Sequence, residues 1–243
     1  MSPSTAVDVT FDFRSDTPPG KDPDARSPTL RTYHRQLWSK PLPTGGVFEL
    51  VTTTPGVYLH HRSERGEFFL SSDSVIPTFV GHSRLNQLIG QIPPQEIAEF
   101  QRISYTMGGM MIFPSNQIGR QPTINGARGM NAKLRDRFDL TVECIRRHYH
   151  GGDSPLAGVL ERYDAFFALF GDFSGYIDFF LLQDSVTSDY SATKCFLPFA
   201  GFDESPVPTS IEAYQSYRQQ AEAFIGARNR RIIESTAGDS SLR

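Results

Sequence analysis

Cysteine is scarce in this 243-residue chain, and the scarcity excludes several kinds of small protein. The two cysteines, Cys144 and Cys195, are far apart and lack the ligand spacing of a zinc site, and one pair of thiols cannot support a disulfide-rich scaffold. The six histidines show no pattern of two histidines and a carboxylate along one helix face. We therefore expect two buried free thiols, no bound metal and no cofactor.

Long apolar runs and an excess of positive charge are also missing. No segment approaches the roughly 18 apolar residues that are required to span a bilayer, and the first residues, MSPSTAVDVTFDF, lack the basic and apolar regions of a signal peptide. We expect a cytoplasmic protein with no membrane partner. The formal net charge of −3 argues against a surface coated with positive charge for indiscriminate nucleic-acid binding, but it leaves room for a local basic groove.

Three common sequence signatures of enzymes are absent as well. The chain has no Gly-x-Ser-x-Gly nucleophile elbow, no phosphate-binding Walker loop and no glycine-rich dinucleotide fingerprint. A serine hydrolase of the elbow type, a P-loop nucleotidase and a Rossmann oxidoreductase are therefore poorly supported.

Phenylalanine, by contrast, is abundant, with 19 residues, and this indicates a core rich in aromatic rings. Short β-type segments lie mostly in the first half of the chain, where apolar and polar residues alternate and Pro-Gly or Arg-Gly turns intervene. The predicted strands are Val7–Phe13, Val47–Val51, Val57–His61, Glu67–Leu70 with a polar end at Ser71–Ser74, and Thr106–Phe113.

Capping signals and a 3.6-residue periodicity predict the helices. Ser27 followed by Pro28 marks the start of one helix, which is expected to end near Pro41. The other predicted helices are Arg84–Ile89, Gln95–Ser104, Asn131–Tyr149, one opened by Ser154, and a terminal helix that a capping box opens at Thr209 and that ends near Glu234.

These elements together predict an α+β (mixed α/β) fold. We expect a single domain, residues 1–235, with a central, mostly antiparallel sheet flanked by several amphipathic helices. Residues 236–243 are expected to form a disordered tail.

A dense set of amide and guanidinium side chains lies between positions 114 and 129 and includes the stretch TINGARG, Thr123–Gly129. Asn and Gln both donate and accept hydrogen bonds, which suits the edge of a nucleobase or a sugar, and arginine suits phosphate. The alternative is a plain strand-to-helix turn in which the arginine pairs with a surface carboxylate. The candidate ligand residues are Asn116, Arg120, Asn125 and Arg128.

Carboxylates form a second candidate group. Asp16, Asp22 and Asp24 lie within nine residues after the first predicted strand, a location typical of a site at the edge of a sheet. The segment GKDPD, Gly20–Asp24, is similar to the water-activating motif of uracil-DNA glycosylases, Gly-Gln-Asp-Pro-Tyr-His, but Lys, Asp and Ala replace its Gln, Tyr and His, and the second His-Pro-Ser motif of that family is missing. Asp, Pro and Gly also form ordinary turns. Asp73, flanked by serines, can orient water or a sugar hydroxyl, or it can cap a turn.

Several long blocks carry a wider resemblance. They are FDFRSDTPPGKDPDARSPTLRTYHRQLWSKPLP, FLSSDSVIPTF, GGMMIFPSNQIGRQPTINGARG, RFDLTVECIRRHY and ARNRRI. From about Val9 to Ile232 the chain resembles a bacterial and phage family long catalogued as a domain of unknown function. That family is similar to the phage-defence DNA glycosylases that excise glucosylated hydroxymethylcytosine, so the resemblance implies base excision from hypermodified phage DNA, which leaves an abasic site.

This resemblance implies a role for each candidate residue. Cleavage of an N-glycosidic bond develops positive charge on the sugar, so a carboxylate is needed to stabilise the sugar or to activate water. A flipped base must be stacked and read along its edge, and the DNA phosphates need cations. The implied catalytic residues are Asp22, Asp16 and Asp73; the implied substrate-binding residues are Tyr33, Trp38, Asn116, Asn125 and Arg128; the implied DNA contacts are Lys21, Arg120, Lys133 and Arg137.

Two other functions fit the same residues. One is an N-glycosidase or hydrolase that acts on a free nucleotide or sugar-nucleotide, and the other is a non-catalytic nucleotide-binding protein. For the glycosylase, the expected partner is modified double-stranded phage DNA, bound by a monomer or a weak dimer.

Overall fold

A small antiparallel sheet lies at the centre of the molecule. The computed structural model describes residues 6–51, 59–116 and 119–240, with side chains up to residue 237. In this part of the chain the sheet has the strand order β1-β2-β3, with both neighbouring pairs antiparallel. The strands are β1 (Leu59–Ser63), β2 (Gly66–Ser74) and β3 (Met110–Pro114).

Helices surround this sheet, and one continuous hydrophobic cluster joins them to it. The arrangement confirms the predicted α+β class, with a central antiparallel sheet and flanking helices. The helices are α1 (Pro23–Arg26), α2 (Pro28–Trp38), α3 (Asn86–Ile89), α4 (Pro94–Ser104), α5 (Ile124–Met130), α6 (Phe138–Tyr149), α7 (Ala157–Leu160), α8 (Asp164–Phe167), α9 (Phe173–Phe179) and α10 (Ile211–Ser240).

The two faces of β2 have different surroundings, because successive side chains of a strand point in opposite directions. Phe68 and Leu70 are buried in the core, and Ser72 continues the same face. Phe69 and Asp73 belong to the opposite face, and Phe69 is 37% exposed. The central strand therefore brings polar groups to both sides of the sheet at its carboxyl end.

The predicted helix that starts at Ser27 is confirmed, since the Ser27 side chain accepts a hydrogen bond from the Leu30 amide and α2 ends at Trp38. The predicted strand Val7–Phe13 is wrong. This segment forms turns, in which the Phe11 amide donates to the Asp8 carbonyl at 3.3 Å. Val9 and Phe13 are nevertheless buried, so the alternation of the sequence reflects burial without a pairing strand.

The predicted early meander is only partly formed. Val47–Val51 makes isolated bridges, from Val47 to Pro41 and from Val51 to His60, in place of a strand. β1 begins at Leu59, and residues 57 and 58 of the predicted Val57–His61 strand lie outside the described residues. The polar segment after Leu70 is a full part of β2, which pairs with β3 as far as Ser74.

TINGARG is a helix and not the predicted turn. Thr123 caps the amino end of α5, where its side chain accepts from the Gly126 amide. The helix predicted from Asn131 instead begins at Phe138, because residues 131–137 form turns in which Arg135 and Asp136 have φ angles of 47° and 66°. The left-handed backbone at these two positions ends any helical continuity with α5.

The last helix is capped one residue later than predicted and is longer. The Ala213 amide donates to Ser210 Oγ at 3.1 Å, so Ser210, rather than Thr209, is the capping residue. The helix runs through Ser240, past the predicted end near Glu234, while residues 241–243 lie outside the described residues. The segment opened by Ser154 is likewise divided into α7, α8 and intervening 3-10 turns.

Arg228 attaches α10 to the centre of the molecule. Its guanidinium is fully buried and donates to the carbonyls of Gly108, Met110 and Phe180 at 2.7–3.2 Å. It also lies 5.7 Å from the centre of the Trp38 ring. Burial lowers the pKa of Arg228 to about 9, which leaves the side chain charged at neutral pH. One side chain therefore joins the last helix to β3, to the residue after α9 and to α2.

We predict that Arg228→Met destabilises the fold by roughly 3 kcal/mol, because it leaves several buried carbonyls without donors. The control is Arg230→Met, two residues along the same helix, where the side chain is exposed and the expected change is within about 0.5 kcal/mol. Urea unfolding followed by circular dichroism measures both. Equal stabilities for the two variants would contradict this role for Arg228.

Candidate functional site

Arg128 of α5 collects groups from three parts of the chain. Its guanidinium is fully buried and forms a direct ion pair with Asp73 of β2. Nη2 lies 3.2 Å from Asp136 Oδ1 and donates to the Asp136 carbonyl at 2.9 Å, and Nε donates to Thr141 Oγ1 at 2.9 Å. One cation thus fixes the end of β2, the turn before α6 and α6 itself around a common point.

Asp24 of α1 is the third carboxylate at this point. Its Oδ2 accepts a hydrogen bond from the Ser74 amide at 2.8 Å, beside Asp73 at the end of β2. Its Oδ1 is buried and has no hydrogen-bond partner. A buried carboxylate oxygen without a donor is costly, and Asp16 Oδ1 is a second one among the described residues.

The electrostatics of the cluster favour one bound proton near neutral pH. Burial, with a smaller contribution from the charges of Asp22 and Asp136, raises the pKa of Asp24 to about 7 against the hydrogen bond from Ser74. Burial also raises the pKa of Asp73, although Arg128 opposes that rise. Because Asp73 contacts the guanidinium directly and Asp24 does not, we place the proton on Asp24.

A small pocket opens beside Asp24, between α1, α2 and the strands β1 and β2. Its space amounts to about 250 Å³ with the open mouth included, and about 10 Å³ of this can contain the centre of a water molecule, which is room for one water. The polar and charged side chains that line it are Asp24, Ser27, Arg31, His34 and Ser72.

His34 connects this pocket to the core. It is 1% exposed, and its Nε2 lies 2.8 Å from Ser72 Oγ. Its Nδ1 accepts a hydrogen bond from Trp38 Nε1 at 3.0 Å. Burial and the charge of Arg228 lower the pKa of His34 to about 3, so the imidazole is neutral at physiological pH.

Of the predicted catalytic residues, Asp73 belongs to the cluster, whereas Asp22 caps α1 and Asp16 contacts the first turn of α2. Asp22 Oδ1 accepts from the Asp24 amide at 3.1 Å at the start of α1. Asp16 Oδ2 accepts from the Thr29 amide at 3.0 Å in the first turn of α2. Asp22 is exposed and adjacent to the site, and its neighbour Asp24 takes the central position that the prediction gave to Asp22.

The predicted stacking residues are placed in the core, so their position does not suit contact with a base. Trp38 is completely buried and its ring lies 5.3 Å from that of Phe180. Tyr33 is 7% exposed, and its hydroxyl accepts from the Asp8 amide at 3.1 Å. The helical spacing of these aromatic residues therefore reflects packing, and the expectation of base stacking is corrected.

The predicted amide residues Asn116 and Asn125 both contact β2, at different positions along the strand. Asn116 Oδ1 accepts from the Phe69 amide at 2.8 Å and its Nδ2 donates to the Glu67 carbonyl at 2.9 Å, so it extends the pairing of β2. Asn125 Nδ2 donates to Ser71 Oγ at 3.0 Å, while its Oδ1 is buried and has no hydrogen-bond partner. Asn125 and Arg128 of TINGARG therefore reach the same strand end as Asp73.

The predicted DNA contacts divide into exposed and buried residues. Lys21 and Arg120 are exposed, and Lys133 forms an exposed ion pair with Asp203 at 2.8 Å. Arg137 is 1% exposed and pairs with the buried Asp139, so it is a core residue and cannot contact DNA in this structure.

Two residues of the site, Asp24 and His34, are not among the predicted site residues, although the sequence contains a signal for each. Asp22 followed by Pro23 repeats the cap-and-proline pattern of Ser27 and Pro28, which makes Asp22 the cap and leaves Asp24 free for another role. His34 lies four residues before Trp38, the spacing at which two side chains meet on one helix face.

The cysteines and the acidic residues show no metal site within the described part of the chain. No group of three or more histidines, cysteines or carboxylates there is placed to hold a metal ion. Cys144 is buried, Cys195 is partly buried, and both are free thiols. None of the described helices is long and apolar enough to cross a membrane.

Comparison with known proteins gives one match. The model of a family described as "Family of unknown function (DUF6994)" matches residues 7–232. The chain belongs to this family. Searches of curated proteins and of solved structures found no match.

We predict that Asp24→Asn stabilises the protein by about 4 kcal/mol at pH 8 and has little effect at pH 4. The unfolded carboxyl releases its proton near pH 3.8 and the folded one near pH 7. Between these values the folded state binds more protons, so stability falls as pH rises, and the amide removes this loss while its oxygen can still accept from Ser74.

Thermal unfolding at a series of pH values measures the effect. The matched control is Asp22→Asn, which alters an exposed cap and preserves capping, since asparagine caps helices as well as aspartate does. A stability difference between wild type and Asp24→Asn that does not change with pH would contradict the assignment of the proton.

Proposed function

We propose that this chain is a DNA glycosylase that hydrolyses the N-glycosidic bond of glucosylated hydroxymethylcytosine in phage DNA and leaves an abasic site, as an antiphage defence in the cytoplasm. The observation that carries the proposal is the Asp24 carboxyl, which lines a water-sized pocket and has one buried oxygen without a partner. The substrate class rests on the resemblance of the sequence blocks.

The chemistry of N-glycoside hydrolysis fits this carboxyl. As the bond from C1′ to the base nitrogen breaks, its electron pair leaves with the base and positive charge develops on the sugar. Water then bonds to C1′, and ionised Asp24 accepts the proton that the water releases. A general base works best when its pKa lies near the working pH, and the pKa of Asp24, raised to about 7, meets that condition.

The rest of the cluster has a supporting role in this proposal. Asp73 and Asp136 maintain a negative potential near the positive charge that develops on the sugar. The positive charge of Arg128, which pairs with both carboxylates, reduces the repulsion between them. The exposed Lys21, next to Asp22, and the exposed Arg120 are the proposed phosphate contacts. Because the net charge is −3, we expect only weak binding to unmodified DNA by a monomer or weak dimer.

The experiment compares phage DNA that contains glucosylated hydroxymethylcytosine with unmodified DNA and with a panel of free nucleotides and sugar-nucleotides. We expect abasic sites only in the modified DNA, and Asp24→Asn should lower the rate at least about 100-fold because the general base is lost. Asp22→Asn, the matched control, should remain within about threefold of wild type.

The other outcomes separate the remaining functions. Release of base or sugar from free nucleotides with intact DNA identifies a small-molecule N-glycosidase, and retention of an unchanged ligand identifies a binding protein. Full activity of Asp24→Asn on modified DNA would show that Asp24 is not the general base, although the reaction itself would be established.

We also predict that the turnover rate of the wild type rises about tenfold per pH unit below pH 7 and reaches a plateau above it. Asp24 must be ionised to act as a base, and burial, together with the charges of Asp22 and Asp136, raises its pKa to about 7 against the opposing charge of Arg128. Single-turnover rates at saturating DNA from pH 5 to pH 9 measure the profile. A flat profile would rule out Asp24 as the titrating base.

A further inference from the structure

The hydrogen-bonding of His34 allows only one tautomer. An indole nitrogen can donate and cannot accept, so the contact from Trp38 Nε1 requires that His34 Nδ1 be the acceptor. The hydrogen of the neutral imidazole is then on Nε2, which must donate to Ser72 Oγ at 2.8 Å. The Trp38 indole therefore fixes which atom donates and which accepts in both hydrogen bonds of the series Trp38, His34 and Ser72.

The same reasoning fixes what Ser72 can do. Its oxygen accepts from His34, and its own O–H must therefore donate to a different acceptor. Ser72 lies on the face of β2 that borders the pocket, and Asp24 lines that pocket from α1. Asp24 Oδ1 has no direct partner, so the two groups do not satisfy each other by a direct bond.

We infer that Ser72 and Asp24 together bind one water molecule in this pocket, and that Ser72, His34 and Trp38 are positioning residues for it. The water oxygen accepts from the Ser72 hydroxyl, and one water hydrogen is donated to Asp24 Oδ1. This leaves one lone pair of the water free to bond to an electrophile at the mouth of the pocket. The pocket has room for a single water, which agrees with this stoichiometry.

The donor to the water, the Ser72 hydroxyl, does not titrate in the working range of pH, whereas the acceptor, the Asp24 carboxyl, does. His34 stays neutral over the whole working range of pH, so the Ser72 hydroxyl keeps its direction. The other charged groups that face the pocket are Asp24 and Arg31. The water site itself does not depend on the proposed function, whereas its role as the nucleophile rests on the glycosylase proposal.

Crystal structures at about 1.2 Å test the water site without any substrate. We expect one ordered water within 3.2 Å of both Asp24 Oδ1 and Ser72 Oγ in wild type, lost in Ser72→Ala and retained in Ser72→Thr. The matched control is Ser71→Ala, which removes a hydroxyl from the opposite face of the strand and should keep the water. Absence of the water in wild type, or its persistence in Ser72→Ala, would overturn the inference.

Nitrogen-15 NMR of labelled histidine tests the positioning chain. We expect His34 to be wholly the Nε2–H tautomer from pH 5 to pH 9, and Trp38→Phe, which removes the indole N–H, should give a mixture of tautomers. A mixture already present in wild type would contradict the assigned direction of the hydrogen bonds.

Kinetics then connect the water to the proposed reaction. If modified DNA is cleaved, Ser72→Ala should lower kcat about tenfold with little change in KM, Ser72→Thr should restore most of it, and the midpoint of the pH profile should not move. Failure of DNA cleavage with the water and tautomer observed would remove the glycosylase proposal alone, while an unchanged kcat in Ser72→Ala would remove the catalytic role of this water.

Discussion

The burial of the Arg128 guanidinium is the constraint around which the candidate site is arranged. A buried cation without partners would be too costly for a marginally stable fold, so carboxylates have to come to it. Asp73 comes from the central strand and Asp136 from the left-handed turn before α6, while Thr141 of α6 meets a further donor. The sheet, α5 and α6 consequently have one relative placement, and the strand end that carries the polar groups is held rigidly.

The cluster around the buried Arg128 contains more carboxylates than cations, and the folded protein tolerates this excess of acidic groups. The guanidinium is shared by two carboxylates, so the third one, Asp24, experiences their negative field without a cation of its own in contact. Stability alone would favour a neutral amide there. Ionised Asp24 raises the free energy of the folded state, and its carboxyl exchanges a proton near neutral pH, which is the property that the proposed general base requires.

How far the sequence predicts the structure depends on where the deciding contact lies. α2 was predictable because Ser27, its cap, bonds to an amide three residues away. α5 was missed because asparagine and two glycines disfavour helix, and the helix is supported by contacts of Arg128 with residues as distant as Asp73. The site shows the same division. A carboxylate near the start of the chain was expected, but the selection of Asp24 depends on an amide fifty residues later.

Arg228 of the last helix is connected to the pocket through the Trp38 ring. Arg228 lies against the Trp38 ring, and the Trp38 indole begins the hydrogen-bond chain that ends at Ser72. The carbonyl of Gly108 that Arg228 binds is 120 positions earlier in the sequence. The geometry of a pocket built from residues near the start of the chain therefore depends, through Trp38, on a helix that begins at Ile211, 173 positions after the end of α2 (211 − 38). A substitution near the carboxyl end of the chain, at Arg228, can therefore alter the pocket that Asp24 and Ser72 line near its beginning.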